Sequence, residues 1–222
     1  MGKSERLMRM IEESIPGYFN FPLEIQLESL GLDDEKISEL KGARVIDFGC
    51  GEEGTLVRFL RERGIDAFGI DPRAPDENYF FRKMAGVGDT PLEENSYDLV
   101  TAHSVSPIRT VLTNHVLPEP EGDSAYEKDR FRGRMMFLEM ADCLRGDGEM
   151  IFYPAVGKIE EILPTLIGAP EISYSHIHVD LRRGDRNFSD YIRRQGILFG
   201  AGEDRVKKAI HDFMYRTVAT KA

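Results

Sequence analysis

Three glycines, Gly49, Gly51 and Gly54, stand in the spacing G-x-G-x-x-G. An acid, Asp47, lies two residues before the first of them, and a second acid, Asp71, follows Gly51 by twenty residues. Glycines in this spacing let backbone approach a ligand closely. A turn of this kind between a strand and a helix offers N–H groups to a nucleotide cofactor, with the later acid in reach of a ribose. Cys50 sits inside the turn and Pro72 directly follows the second acid. Proton transfer near neutral pH is histidine chemistry. His103 is the candidate catalytic base because it comes just past an apolar run, with His115 a lesser candidate twelve residues on. His176 and His178 alternate in the chain, but a metal needs a further ligand at suitable geometry. No such ligand lies nearby, so no metal site is expected.

The charge around the turn separates two cofactor chemistries. A dinucleotide would bring a pyrophosphate to the helix N-terminus. Here the turn carries Glu52 and Glu53 behind Asp47, with no Lys or Arg between Asp47 and Thr55. At ~4 Å and an effective dielectric near 20, each like-charge contact costs about 4 kcal/mol before screening. S-adenosylmethionine has no phosphate, and its sulfonium and ammonium are both cationic, so acidic groups suit it. The glutamates can also be explained as first-turn acids that complement the helix dipole. That explanation does not reach Asp47, which ends a buried strand where a carboxylate is expensive. An NAD(P)-dependent oxidoreductase remains the alternative, because the fingerprint fits it literally.

The elements that must hold these groups follow from hydrophobic spacing. Residues 5–14, Pro22 to Leu30 and Glu35 to Leu40 read as helices, with Asp33 as a cap for the third; together they form an N-terminal helical cap. Ala43–Phe48 reads as a strand, Thr55–Arg63 as a helix closed by Gly64, and Ile65–Ile70 as the next strand. So tight a β-α-β unit implies parallel strands and a right-handed crossover. Tyr97–Ala102 is a further strand, and a weaker one is expected near Lys83–Val87. Arg130–Leu144 is a helix, and Gly146-Asp-Gly148 turns the chain into a strand over Glu149–Tyr153. A helix is expected over Ile159–Ile167, a hairpin between His176–Leu181 and Asp190–Arg194, and a last helix over Val206–Val218. Alternation of helix and strand means an α/β sheet with helices on both faces. Its ligands sit beyond the carboxyl ends of the strands, where the glycine turn falls.

Val45-Ile-Asp-Phe-Gly-Cys-Gly51 resembles the first motif of class I S-adenosylmethionine-dependent methyltransferases. Gly88-Asp-Thr-Pro-Leu-Glu-Glu-Asn-Ser-Tyr-Asp-Leu-Val100 is similar to the family's stretch that passes the adenine. The segment FLEMADCLRGDGEMIF resembles its later helix, glycine turn and fifth strand. The likeness spans residues 43 to 155 in the family's order. It implies a Rossmann-like, seven-stranded, mostly parallel sheet and S-adenosylmethionine as cofactor. It further implies a binding set of Asp47, Gly49, Cys50, Gly51, Asp71, Pro72, Asp89 and His103. Within that set Asp71 would hold the ribose hydroxyls and Asp89 the adenine amino group. The chain departs from the family in carrying Glu53 where a glycine is usual, and a degraded, non-catalytic binding module is the third reading. No Asn-Pro-Pro-Tyr or Asp-Pro-Pro-Tyr segment follows the fourth strand, which argues against methylation of a base or amide nitrogen by that device.

Composition sets the outer limits. The chain has 222 residues, 41% hydrophobic, enough for one core. One domain is expected over 1–222, the cap covering 1–41 and the Rossmann-like core 42–222. A formal net charge of −10 argues against nucleic acid as a partner. A small-molecule acceptor fits instead, with Ser104–Asp129 and the aromatics Tyr18, Phe19 and Phe21 near its access route. No run approaches the ~20 apolar residues of a membrane span, and MGKSERLMRMIEES lacks the apolar region of a signal peptide. Cys50 and Cys143 make no disulfide framework. A cytoplasmic location is expected.

Overall fold

The computed structural model describes residues 22–82, 92–103, 105, 124–155, 172–178, 204 and 215–221; for 124–130, 154–155, 172–178, 215 and 221 only the backbone is described. Helix α1 spans Leu23–Leu30 and closes at Gly31, whose φ of 67° lets the Leu32 N–H reach back to the Leu27 carbonyl at 2.9 Å. Helix α2, Asp34–Glu39, begins where Asp33 accepts a 2.9 Å bond from the Lys36 N–H, the cap expected from the sequence. Strand β1 is Arg44–Phe48, helix α3 Thr55–Glu62, and strand β2 Asp66–Ile70. There follow β3 at Phe80–Phe81, β4 at Tyr97–His103, helix α4 at Ser124–Cys143, β5 at Leu144–Ala155, β6 at Ile172–His178 and β7 at Tyr215–Lys221.

One sheet orders these strands β3-β2-β1-β4-β5-β7-β6. Six of them run five to twelve residues, and the two-residue β3 adds to one edge. From β3 to β5 neighbours are parallel, whereas β7 runs antiparallel to both β5 and β6. Strand order reverses at β1, which pairs with β2 on one side and β4 on the other. In a doubly wound sheet the ligand crevice lies at this reversal.

Side-chain alternation divides the core into two layers. Val45, Leu99, Ile151 and Tyr153 point to the face covered by Leu30, Leu32 and Ile37, together with Leu56, Val57 and Leu60 of α3. The described part of the expected cap, α1 and α2, thus lies against the sheet; residues 1–21 are outside the described residues. On the other face Phe137 of α4 meets Phe152 of β5 edge-on, ring centroids 5.2 Å apart. At the amino ends of the strands Asp98 accepts from the Arg44 N–H at 2.8 Å and from Arg145 at 2.7 Å, bracing β1 and β5 to β4.

Several expectations require correction. The helix expected over Val206–Val218 gives way at Tyr215 to strand β7. There Thr217 and Ala219 are buried between the partly exposed Arg216, Val218 and Thr220, a period of two that the preceding helical spacing masked. Residues 206–214 lie outside the described residues. The strand containing His176 and His178 pairs with β7; residues 190–194, the other arm of the expected hairpin, lie outside the described residues. The turn at Gly146-Asp-Gly148 forms inside β5. Pairing with β4 steps from Tyr97↔Leu144 to Leu99↔Glu149, so the extra residues loop out, with Asp147 at φ 67°. Beyond β2 the described strand is Phe80–Phe81, while 83–87 and the helix expected over 159–167 lie outside.

The packing of α4 gives a paired expectation. Phe137 is fully buried and Phe131, on the same helix, is 62% exposed. Phe137→Ala should cost about 3–5 kcal/mol and Phe131→Ala less than about 0.5 kcal/mol, read from urea unfolding midpoints. Equal losses would mean that α4 does not pack through Phe137.

Candidate functional site

The glycine turn leaves β1 at its carboxyl end and enters α3. Gly49, Gly51 and Gly54 all take left-handed backbone, with φ of 76°, 73° and 57°. At Gly49 and Gly54 a side chain is excluded as well as strained. A Cβ on Gly49 would lie 2.6 Å from Val105, and one on Gly54 would run into the Phe80 ring. The turn is tied to β2 by the Gly49 N–H, which donates to the Ile70 carbonyl at 2.7 Å, with Cys50 donating to the same oxygen at 3.3 Å.

Two buried carboxylates flank this turn. Asp71, at the end of β2, accepts from the Gly51 N–H at 3.3 Å and, through its other oxygen, from the Arg73 N–H at 2.8 Å. The Arg73 guanidinium also stands in ion-pair range, its Nε 3.7 Å from Asp71 Oδ1; a carboxylate has about four acceptor sites, so the two amides do not exhaust it. Asp47 is 3% exposed and accepts a 2.7 Å bond from the Thr101 hydroxyl. Burial pushes its carboxyl up to about 7; the Thr101 bond opposes this and the neighbouring Asp71 charge adds to it. Burial also drives the Cys50 thiol upward, reinforced by Asp47 and Asp71. Cys50 is therefore a protonated thiol, not a nucleophile.

His103 ends β4, in register with Tyr153, and the two rings stack with centroids 5.6 Å apart. Burial lowers its pKa to about 3, so the imidazole is neutral. Alternation puts Asp47, Thr101, His103 and Tyr153 on one sheet face, the face that carries α1 and α3.

The described site residues of the sequence reading converge in part. Asp47, Gly49, Cys50, Gly51 and Asp71 meet at the strand-order reversal; Pro72 is exposed just beyond Asp71. His103 sits two positions past Thr101 on the same face. Asp89, His115, Tyr18, Phe19 and Phe21 lie outside the described residues, and so does most of Ser104–Asp129. Glu52 and Glu53 are both exposed. Among the described residues no group of three His, Cys, Asp or Glu side chains could hold a metal ion, and no helix is long and apolar enough to cross a membrane.

Two participants escaped the sequence reading. Arg58 of α3 turns back and donates to the Glu53 carbonyl at 2.9 Å, so a cation does stand near the turn. Its guanidinium is engaged by Glu77 and Tyr79, which leaves it compensated. The helical return from Arg58 to the start of α3 was the available signal. Thr101 was the other, and its signal was a hydroxyl inside an apolar strand, opposite Asp47 when the two strands are aligned.

A sheet whose order reverses at β1, with a glycine turn and two buried acids at that point, defines a doubly wound α/β protein. No family model and no curated protein matches the chain. Solved structures similar to it include a TehB-like SAM-dependent methyltransferase from Corynebacterium glutamicum, 12% identical, with a TM-score of 0.47 over 99% of this chain and 96% of that one. Another is the putative methyltransferase in complex with the Trm112 methyltransferase activator of Haloferax volcanii, 15% identical, TM-score 0.48, covering 90% and 92%. A third is a putative sarcosine dimethylglycine methyltransferase from Galdieria sulphuraria, 14% identical, TM-score 0.47, covering 88% and 84%.

The raised Asp47 carboxyl has a consequence for stability. Its native value, about 7, exceeds its ordinary 3.8. The folded state therefore binds more protons between those values, and stability falls as pH rises through that window. Asp47→Asn removes the burden. The variant should be more stable than wild type by about 2–4 kcal/mol at pH 8, with the difference fading towards pH 4. Urea unfolding of both proteins at pH 4.5 and 8 measures it; a pH-independent difference would contradict the buried, raised carboxyl.

Proposed function

We propose that the chain is an S-adenosylmethionine-dependent methyltransferase with a small-molecule acceptor. The carrying observation is the pair of buried carboxylates, Asp47 and Asp71, on either side of the glycine turn. Such a site repels a pyrophosphate and favours a phosphate-free, cationic nucleoside. The sheet also departs from the six-stranded order 3-2-1-4-5-6 of dinucleotide-binding folds, because antiparallel β7 stands between β5 and β6.

In this reading Asp71 accepts from the ribose hydroxyls with the acceptor sites that the Gly51 and Arg73 amides leave free. Gly49, Cys50 and Gly51 bring backbone to the cofactor's methionine end, where Asp47 offsets positive charge. Pro72 turns the chain clear of the ribose, and Asp89 receives the adenine amino group. The bound cofactor supplies an electrophilic methyl on a sulfonium, and positioning of the acceptor can account for most of the rate. His103 faces the acceptor. Burial keeps it unprotonated, as a proton acceptor must be, yet it holds a proton poorly, which favours acceptors that need little help from a base. One domain over 1–222 and a cytoplasmic location complete the reading, the latter in keeping with Cys50 and Cys143, neither of which is in a disulfide.

Calorimetry with S-adenosylmethionine, S-adenosylhomocysteine and NAD in parallel is the test. Binding of the two adenosyl ligands without an NAD signal is expected. NAD binding alone would favour the oxidoreductase, which the literal glycine spacing and Asp71 support. Adenosyl binding with no turnover on any acceptor would favour the binding module. Asp71→Ala should weaken S-adenosylhomocysteine binding by about 2–3 kcal/mol, since hydrogen bonds to a charged acceptor are the strong ones; unchanged affinity in the folded variant would remove Asp71 from the site.

Glu53 tests the departure from the family. Its side chain is exposed, and acids are accepted readily at a helix N-terminus. Glu53→Gly is therefore expected to change S-adenosylhomocysteine affinity by less than about tenfold, roughly 1.4 kcal/mol. A gain of about a hundredfold would mean that Glu53 obstructs the pocket.

A further inference from the structure

Thr101 lies opposite Asp47 in the parallel β1–β4 ladder. It is 0% exposed, and its hydroxyl donates a 2.7 Å hydrogen bond to Asp47 Oδ1. A buried hydroxyl is costly unless it finds a partner, and valine would fill this position in a β-strand with nearly the same shape. A charge-assisted bond is also among the stronger ones available to a side chain. The hydroxyl therefore acts on the one carboxylate of β1 that reaches the glycine turn.

We propose that Thr101 is a positioning residue for Asp47: its hydroxyl fixes the carboxyl group beside the glycine turn and favours the anionic form, and so strengthens the site's hold on a cationic ligand. The ligand part of this inference rests on the methyltransferase reading. The hydrogen-bond part does not.

Among the described residues, the groups around Asp47 are Asp71 from the end of β2, Cys50 from the turn, Thr101 from β4 and His103 further along the same face of β4. Desolvation works most strongly against ionisation of Asp47, the Thr101 bond opposes it, and the Asp71 charge adds a smaller penalty. His103 is neutral and Cys50 protonated, so neither supplies a compensating cation. Asp47 ionises near neutral pH with the hydroxyl present, and its loss moves that titration to higher pH. A ligand that requires the carboxylate then binds about tenfold more weakly, at a fixed lower pH, for each pH unit of that movement.

Two measurements on Thr101→Val, with Thr101→Ala as a second hydroxyl-free variant and Thr101→Ser as the conservative one, test the proposal. The first needs no ligand: Asp47 is titrated by carboxyl difference infrared spectroscopy against Asp47→Asn. The titration should move upward by about one pH unit in the valine and alanine variants and return towards wild type in the serine variant. An unmoved titration in either hydroxyl-free variant that folds overturns the proposal. The second follows S-adenosylmethionine affinity from pH 6 to 9. The hydroxyl-free variants should bind about tenfold more weakly at pH 6.5 and approach wild type at pH 9. A deficit of equal size at every pH would mark a merely structural role and overturn the proposal. If wild type binds no adenosyl ligand, the methyltransferase reading fails while the infrared titration still decides the role of Thr101.

Discussion

Strand β1 runs between two parallel neighbours, and everything at the site depends on that placement. Val45 aligns with Leu99, Phe48 with Ala102, and Asp47 with both Gly69 and Thr101. The carboxyl ends of three strands finish level with one another, so groups distant in sequence arrive together. Asp71 reaches the Gly51 amide across a separation of twenty residues, and Thr101 reaches Asp47 across fifty-four. The alignment also leaves room for the turn: a Cβ on Gly69 would lie 2.7 Å from the Cys50 sulfur.

The two acids at this junction are held in different ways. Asp71 is met by backbone amides that its own turn and the glycine turn present. These donors are fixed by chain geometry and cost little to orient. Asp47 is met by a side-chain hydroxyl deep in the sheet, with bulk water excluded. Asp71 thus lies nearer the surface, 9% exposed, and Asp47 deeper, 3% exposed. The fold bears the desolvation of a carboxyl group at this depth, and burial is the main reason that its titration is raised.

Much of this was legible in the chain. Strands β1, β2 and β4 are apolar runs ended by glycine, proline or a polar turn, and α3 carries its buried residues Leu56, Val57 and Leu60 at helical spacing. Asp33 announced its cap. The convergence of Asp47, Asp71 and the three glycines could be read because local spacing encodes a β-α-β unit. What could not be read was set by long-range pairing. Thr101 becomes informative only when β4 is aligned with β1. Strand β7 escaped because five alternating residues, Arg216 to Thr220, follow a segment of helical spacing and declare themselves only between β5 and β6. Arg58 escaped because charge was counted along the chain, whereas a helix returns its residues to the turn it leaves.

The antiparallel strand at the far side of the sheet bears on the order in which the molecule can assemble. β6 precedes β7 in sequence and, among the described residues, touches the sheet only through it. Ala155 of β5 pairs with Tyr215, and β6 then pairs along the outer edge of that same strand, from His178↔Tyr215 to Ile172↔Lys221. On a ribosome, β1 to β5 can pair as they emerge, each beside strands already present. β6 must wait with its backbone groups unpaired until the chain beyond it has been synthesised and β7 has docked. Non-local closure of this kind is slow, and an unpaired strand is open to pairing with another chain. The interval between synthesis of β6 and docking of β7 is thus one in which the sheet lacks its final order at the end opposite β3.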